Sequence, residues 1–172
     1  MFKVLERKEL APTEFEILVD APRIAKKAKA GQFVILRIDE YGERIPLTVV
    51  DTDAEAGWVR LIFQVIGKST AQLATVMAGE ALSDIVGPLG KATDIENYGT
   101  VLLVGGGVGI AALFPIVKAL KEAGNRVVTV LGAKNAELLI LQEDCAKYSD
   151  ELILMTDDGS VGQKGLVTDA ME

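Results

Sequence analysis

Hydrophobic and polar positions follow two rhythms along this chain, and the change comes near Gly99. Before it, apolar residues alternate with polar ones in short runs at 15–19, 33–38, 47–50, 58–65 and 81–86, which read as strands. Turn signals separate them: Ala30-Gly31, Tyr41-Gly42, Glu55-Ala-Gly57, Ala78-Gly79 and Gly87-Pro-Leu-Gly90. Short strands at this spacing predict a small antiparallel barrel or sandwich. One segment breaks the pattern. Across 69–77, leucine, valine and methionine recur at helical spacing behind Ser69 and Thr70, which predicts a short helix with a hydroxyl cap.

After Gly99 the rhythm becomes strand, helix, strand, helix, strand. The run at 101–104 predicts a strand buried on both faces, followed by a helix over 109–123 that Gly124-Asn125 ends. A second buried strand is expected at 126–131, a second helix at 137–148, a third strand at 152–156 and a new helix start at 166–172. Alternation of this kind with short connections predicts βαβ units and a parallel sheet. Three such strands are few for a dinucleotide domain. The stretch therefore reads as a fragment, or as a chain that relies on another domain to cover an open sheet edge.

The junction of the first of these strands with its helix carries the first chemical signal. Gly105, Gly106, Gly107 and Gly109, with Val108 among them, permit backbone that no side chain allows, so a ligand can approach the main chain. Free N–H groups at the start of the helix favour an anion there, typically the pyrophosphate of a dinucleotide. A tight strand-to-helix turn without any ligand would use the same glycines. Read as Gly107-Val-Gly-Ile-Ala-Ala112, the loop fits a conventional dinucleotide fingerprint, but the second strand ends Leu131-Gly-Ala-Lys134 without the acid that fingerprint expects.

Composition removes several function classes. A net charge of −7 leaves no basic face for a nucleic-acid backbone. The chain has no histidine, which removes the commonest general base, the Ser-His and Cys-His pairs and the commonest metal ligand. Cys145 is its single cysteine, so its own thiols supply neither a disulfide nor a zinc or iron–sulfur site. Chemistry in such a chain falls to a bound cofactor. The first residues lack the apolar core of a signal peptide, and no apolar run is long enough to span a membrane, so a cytoplasmic protein is expected.

Three further motifs complete the pattern. Arg44-Ile-Pro-Leu-Thr48 leads into a predicted strand. Phe63-Gln-Val-Ile-Gly-Lys-Ser-Thr70 passes from strand through Gly67 to a helix start, where hydroxyls and free N–H groups converge on a spot suited to phosphate or to simple capping. Thr156-Asp-Asp-Gly159 follows the third parallel strand, as a turn or as a carboxylate site.

Taken together, these motifs resemble the ferredoxin–NADP reductase superfamily over nearly the whole chain. The likeness is greatest to electron-transfer subunits of dihydroorotate dehydrogenase and to small subunits of NADH-dependent ferredoxin:NADP oxidoreductase, also called sulfide dehydrogenase. The resemblance implies an N-terminal antiparallel β-barrel that binds FAD over 1–98 and a parallel α/β domain that binds NAD(P) over 99–172, the latter incomplete. Within the barrel it implies Arg44 at the pyrophosphate, Pro46 and Leu47 beside the flavin, and Thr48 as the hydroxyl facing flavin N5. Arg44 stands one residue before the commonest spacing, where Ile45 sits. The likeness further assigns FAD contacts to Phe63, Gln64, Val65, Gly67, Lys68, Ser69 and Thr70, and to Gly87 and Gly90 at a turn closing the barrel.

In the second domain it places Gly105–Gly109, Gly132, Thr156, Asp157 and Asp158 around the nicotinamide nucleotide. A carboxylate at 157–158 would repel a 2′-phosphate and accept ribose hydroxyls, so NADH is expected over NADPH. The implied activity is transfer of hydride from NAD(P)H to FAD and of single electrons onward to an iron–sulfur or protein acceptor. The implied partner is a larger oxidoreductase subunit or a ferredoxin-type acceptor, with neither nucleic acid nor membrane involved. Relatives carry a [2Fe–2S] cluster on a cysteine segment that has no counterpart here. Two other readings stand beside this one. In the first, the chain is a flavin-binding or assembly module without turnover of its own. In the second, it is a Rossmann-type transferase using an adenosyl cofactor, which leaves the barrel motifs without a role.

Overall fold

The computed structural model describes residues 1–171, and the chain divides after Thr93 into two compact units. The first unit is built on seven antiparallel strands: β1 (Phe2–Ala11), β2 (Glu14–Asp20), β3 (Phe33–Arg37), β4 (Ile45–Asp53), β5 (Trp58–Gln64), β6 (Ala81–Leu82) and β7 (Asp84–Leu89). It also holds two helices, the single-turn α1 (Pro22–Ala25) and α2 (Lys68–Thr75). Sheet order is β6-β1-β2-β5-β4-β3-β7. The two outermost strands, β6 and β7, are neighbours in sequence with only Ser83 between them. Ser83 donates its N–H and its hydroxyl to the Arg37 carbonyl at 3.1 Å each, which draws the sheet's ends together into a nearly closed barrel.

Alternation fills that barrel. Ile17 and Val19 of β2, Val34 and Leu36 of β3, Ile45 and Val49 of β4, and Val59, Leu61 and Phe63 of β5 all enter one core. Each such residue contributes about 1.5–3 kcal/mol when buried. Leu73 of α2 is also fully buried in it, so the helix is held by its apolar side.

The second unit is a parallel sheet in the order β11-β10-β9-β8, formed by β8 (Thr100–Gly106), β9 (Arg126–Ala133), β10 (Glu151–Thr156) and the two-residue β11 (Gln163–Lys164). Helix α3 (Gly109–Glu122) packs Val117 and Leu120 on Leu103 and Val127, and α4 (Gln142–Tyr148) follows β9. Gly124 ends α3 with φ +87°. Its N–H bonds the Lys121 carbonyl at 3.0 Å, as a glycine past a helix end should.

The antiparallel barrel and parallel sheet follow the sequence pattern, and several local expectations do not. The helix expected over 137–148 is a 3-10 turn (Ala136–Leu138) and then α4, separated by an extended stretch. Leu139, Ile140 and Leu141 are consecutive and all buried, which one amphipathic helix cannot achieve; Leu141 takes φ +57° to start α4. The strand expected over 81–86 breaks at Ser83 into β6 and β7, and β7 runs through Gly87 where a turn was expected. A Cβ on Gly87 would lie 2.7 Å from Val34 Cγ1, so the glycine serves the close approach of β7 to β3. Strand β8 is not buried on both faces: Leu103 packs on α3, while Leu102, pointing the other way, is 49% exposed. Strand β1 and the small β11 had no clear alternation to announce them, and residues 167–171 form a 3-10 turn rather than an α-helix.

Candidate functional site

Each unit gathers one set of candidate residues, built in a different way. In the barrel, β4 changes partners along its length. Ile45–Thr48 pair with β3 (Leu36 to Phe33), whereas Val49–Asp53 pair with β5, and a bulge lies between Val49 and Asp51. The β4–β5 ladder stops at Val49↔Leu61. Beyond it, the facing edges of Ile45–Thr48 and Ile62–Gln64 lack ladder hydrogen bonds to each other, and α2 begins just past this gap. Open backbone edges of this kind are donors and acceptors in search of partners.

Side-chain direction sorts the candidates around the gap. Ile45 and Val49 lie in the core and Leu47 packs against it, so Pro46 and Thr48 lie on the outer face. Among the described residues the Thr48 hydroxyl has no hydrogen-bond partner. Leu47 and Val65 pack on the core and Phe63 is 2% exposed within it, so these three can offer a ligand only backbone. The Val65 N–H already bonds the Thr13 carbonyl at 2.8 Å. Gln64 lies on the outer face, opposite Glu14 of β2. Arg44, four residues from Thr48 or about 13 Å along an extended chain, pairs with Asp84 at 3.0 Å. Both side chains of that pair are substantially exposed, so the pair is weak and easily exchanged for another anion.

The start of α2 is arranged differently from a hydroxyl-capped helix. Gly67 is the N-cap residue, in extended conformation. Thr70 lies one turn in, where its hydroxyl oxygen accepts the N–H groups of Ile66 at 3.0 Å and Gly67 at 3.1 Å. Thr70 therefore braces the turn. The Ser69 hydroxyl faces outward and donates to Glu43, while Gln72 donates to Asp39 at 2.7 Å. That bond, with the Tyr41 N–H, holds the Asp39 carboxyl below its usual range. A Cβ on Gly67 would meet nothing within 4 Å, which leaves the main chain open to a ligand beside Lys68 and Ser69. Gly90 does not share that openness, because a Cβ there would lie 2.9 Å from the Phe33 ring. Glu43, Asp39 and Asp84 were not foreseen, and no sequence signal ties them to α2 or to Arg44.

Register builds the second site. Gly105 pairs with Leu131, Gly106 with Gly132, Met155 with Gly132 and Thr156 with Ala133, so the ends of three parallel strands lie in one row. The predicted residues of this unit are thereby brought to one edge. Gly107, at φ +53°, donates its N–H to the Gly132 carbonyl at 2.9 Å and turns the chain into α3. A Cβ on Gly107 or Gly109 would meet nothing, whereas one on Gly105 would lie 2.9 Å from Leu113 and one on Gly132 would strike Val167. So Gly107 and Gly109, with Val108 between them, are open to a ligand, and Gly105 and Gly132 serve packing. Asp157 and Asp158 donate backbone N–H groups to Ala133 and Lys134, at 3.2 and 3.3 Å. The Asp158 carboxylate accepts the Ser160 hydroxyl at 2.6 Å and the Ser160 N–H at 2.9 Å, bonds that hold its acid form off to low pH. Thr156 is buried, its hydroxyl bonded to the Val161 carbonyl at 2.7 Å. Among the described residues the Asp157 side chain alone of these three makes no such bond.

The residues present fit a dinucleotide in each cradle: a glycine without Cβ obstruction, an outward hydroxyl and an exchangeable arginine in one, and an open strand-to-helix turn beside an unbonded carboxylate in the other. Among the described residues no group of acidic and thiol side chains is arranged to hold a metal ion, and no helix is long and apolar enough to cross a membrane.

A nearly closed antiparallel barrel and a parallel sheet of this order define a ferredoxin reductase-like fold. The solved structure of an NADH-dependent reduced ferredoxin–NADP oxidoreductase, studied for flavin-based electron bifurcation, matches it with a TM-score of 0.94 at 49% identity, over 99% of this chain and 62% of that one. A dihydroorotate dehydrogenase B (NAD⁺) electron transfer subunit homolog from Thermotoga maritima is 51% identical over 170 residues, 99% of this chain and 60% of that protein. The corresponding subunit of Streptococcus pneumoniae serotype 4 is 37% identical over 171 residues, 96% of this chain and 67% of its own length. No family model matches the chain. The chain belongs to the family of dihydroorotate dehydrogenase B electron-transfer subunits. It spans about three fifths of the length of the first of these relatives.

Proposed function

We propose that the chain is the cofactor-carrying part of a flavoprotein that passes reducing equivalents from NADH to a partner oxidoreductase. The observation that carries this reading is the gap between β4 and β5, flanked by the unpartnered Thr48 hydroxyl and the open turn at Gly67. A flat, amide-edged ring with a phosphate tail matches such a gap, and FAD is the group we assign to it. Thr48 orients the ring from the outer face of β4, and backbone at 62–65 meets its polar edge. Arg44, Lys68 and Ser69 take the diphosphate. Once bound, FAD supplies acceptance of a hydride from reduced nicotinamide and onward release of electrons one at a time. No side-chain acid or base is required of the protein. Its work is to hold, orient and exclude water.

In the second unit Gly107–Gly109 and the start of α3 receive the pyrophosphate of NADH. Asp157 takes the ribose hydroxyls and repels a 2′-phosphate. Asp158 shapes the turn that presents it. The acceptor is a larger oxidoreductase subunit or a ferredoxin-type protein in the cytoplasm, in keeping with relatives named as electron-transfer subunits. Steady-state reduction of a dye acceptor tests the coenzyme assignment. Asp157→Ser should narrow the preference for NADH over NADPH by about tenfold, one lost charge repulsion and hydrogen bond. An unchanged ratio would remove Asp157 from the nucleotide site.

A further inference from the structure

Asn125 is a buried polar residue for which neither site has a use. It follows Gly124 at the end of α3 and is 2% exposed. Its Oδ1 accepts the Tyr98 N–H at 2.6 Å, and its Nδ2 donates to the Glu96 and Leu120 carbonyls at 2.8 Å each. The glycine alone suffices to stop the helix, so the two bonds to Glu96 and Tyr98 do something else. A buried amide satisfied at both ends holds its partners in one conformation. Those partners belong to the segment by which the chain enters its second unit. Residues 91–98 form neither helix nor strand, and connections of this kind are ordinarily mobile. This one is fastened along its length. Ile95 packs on the core made by Leu103, Val117, Leu120 and Val127, the Tyr98 hydroxyl donates to the Asp94 carbonyl at 3.1 Å, and the Gly99 carbonyl accepts the Arg126 N–H at 2.7 Å. On the barrel side, the Thr93 N–H bonds the Ala30 carbonyl at 2.9 Å, and a Cβ on Gly31 would strike the Thr93 side chain. The last barrel anchor is thus the Thr93 N–H and the first anchor of the second unit is the Asp94 carbonyl. Only the φ and ψ of those two residues lie between them.

We propose that Asn125 is a positioning residue for hydride transfer: by making residues 94–99 part of the second unit, it confines motion between the units to the Thr93–Asp94 backbone. This rests on the reading above, in which one unit holds the flavin and the other the nicotinamide. Transfer requires the reacting atoms to come within about 3–3.5 Å, and a misplacement of about 1 Å lowers the rate about 10²-fold. A hinge of two residues at the end of an element limits the attitudes that the donor can take. Without the amide, the backbone from Ile95 to Tyr98 joins the hinge and adds two dihedrals per residue. Asn125 touches neither cradle, so its loss falls on transfer and leaves the affinity for either cofactor alone.

The test uses the whole 172-residue chain reconstituted with FAD, as wild type, as Asn125→Ala, and with one glycine inserted between Thr93 and Asp94. The insertion loosens the hinge without touching the buried amide, so it reports on the hinge even where Asn125→Ala fails to fold. Flavin bleaching at saturating NADH, followed anaerobically by stopped flow, should slow about tenfold in both variants. FAD affinity and the half-saturating NADH concentration should stay within about twofold of wild type. Amide hydrogen exchange gives a readout that needs no turnover: the Tyr98 N–H should exchange about tenfold faster in Asn125→Ala and at the wild-type rate in the insertion variant. Wild-type transfer in either variant overturns the proposal, as does a slowing that weaker FAD or NADH binding accounts for. A Tyr98 amide that already exchanges like an open loop in the wild type overturns it too. Wild-type protein that binds FAD but stays oxidised with NADH overturns the reading beneath it, and the positioning role with it.

Discussion

Replacing Thr70 separates two jobs that the same hydroxyl could perform, bracing the turn into α2 or binding a phosphate. In the structure its oxygen accepts two backbone N–H groups, from Ile66 and Gly67, and lies 3.1 Å from the Gly67 carbonyl. Each bond of this kind contributes about 0.5–1.5 kcal/mol net, and the exposure of Ile66 and Gly67 lets water substitute, so the pair contributes about 1.5 kcal/mol. Alanine returns about 0.5 kcal/mol through better helix propensity. Thr70→Ala should therefore lose about 1 kcal/mol, a fall of about 0.5–1 M in the urea midpoint for a unit of this size. A turn loosened by that amount weakens FAD by about fivefold. Thr70→Ser, which restores the oxygen, should recover most of both effects. A hydroxyl bound directly to diphosphate would behave differently. Its loss would cost about 10–100-fold in FAD affinity with the urea midpoint unmoved. That second pattern would refute the bracing role, and equilibrium unfolding beside flavin titration distinguishes the two.

Three further outcomes follow from the charge environment and burial. Asp150 accepts Lys121 at 2.7 Å and the Val127 N–H at 2.8 Å, and chiefly the lysine holds its carboxyl below the usual range. A carboxyl depressed in the folded state stabilises above its unfolded value of about 3.9 and loses that contribution as pH falls through the lower folded one. The stability gap between wild type and Asp150→Asn, from urea midpoints, should hold steady from pH 7 to pH 5 and close below about pH 4. Glu14 has the opposite sign: it is 2% exposed, one of its carboxylate oxygens has no partner, and burial raises its pKa. Folding stability then falls as pH rises from the unfolded value, so Glu14→Gln should stabilise at pH 7 and give no gain near pH 3; destabilisation at pH 7 would show a needed charge. Burial, with the Asp144 charge adding to it, pushes the Cys145 thiol up to about 12. A thiol reagent at pH 8 should label it far more slowly in the native protein than in urea, and equal rates would contradict its burial.

What could be read from the sequence was whatever depends on period and punctuation. The alternation in β2, β3 and β5, the glycine stop after α3 and the strand–helix rhythm after Gly99 all mark local choices that the tertiary structure kept. Positions decided by neighbours distant in sequence were not legible. Leu139–Leu141 read as helix because a run of three apolar residues carries no period, and only burial of all three reveals an extended crossing. Leu102 read as core because nothing local shows which face of β8 a helix covers. The motif segments were visible as local patterns, but the division of labour within them was not. Thr70 and Asp158 bond back onto their own turns and brace them, while Ser69 reaches across to Glu43 and Asp157 makes no such bond, and that distinction depends on where each turn begins. The β4–β5 gap opens where the ladder stops at Val49↔Leu61, which no turn residue announces.

The central claim is that the barrel holds an FAD that NADH can reduce. Purified protein reconstituted with FAD and passed over a desalting column tests it directly, followed anaerobically by visible absorbance as NADH is added. A yellow protein with near-stoichiometric flavin that bleaches on NADH, and does so less readily with NADPH, is the predicted result. Colourless protein after desalting, or bound flavin that NADH leaves oxidised, would contradict it.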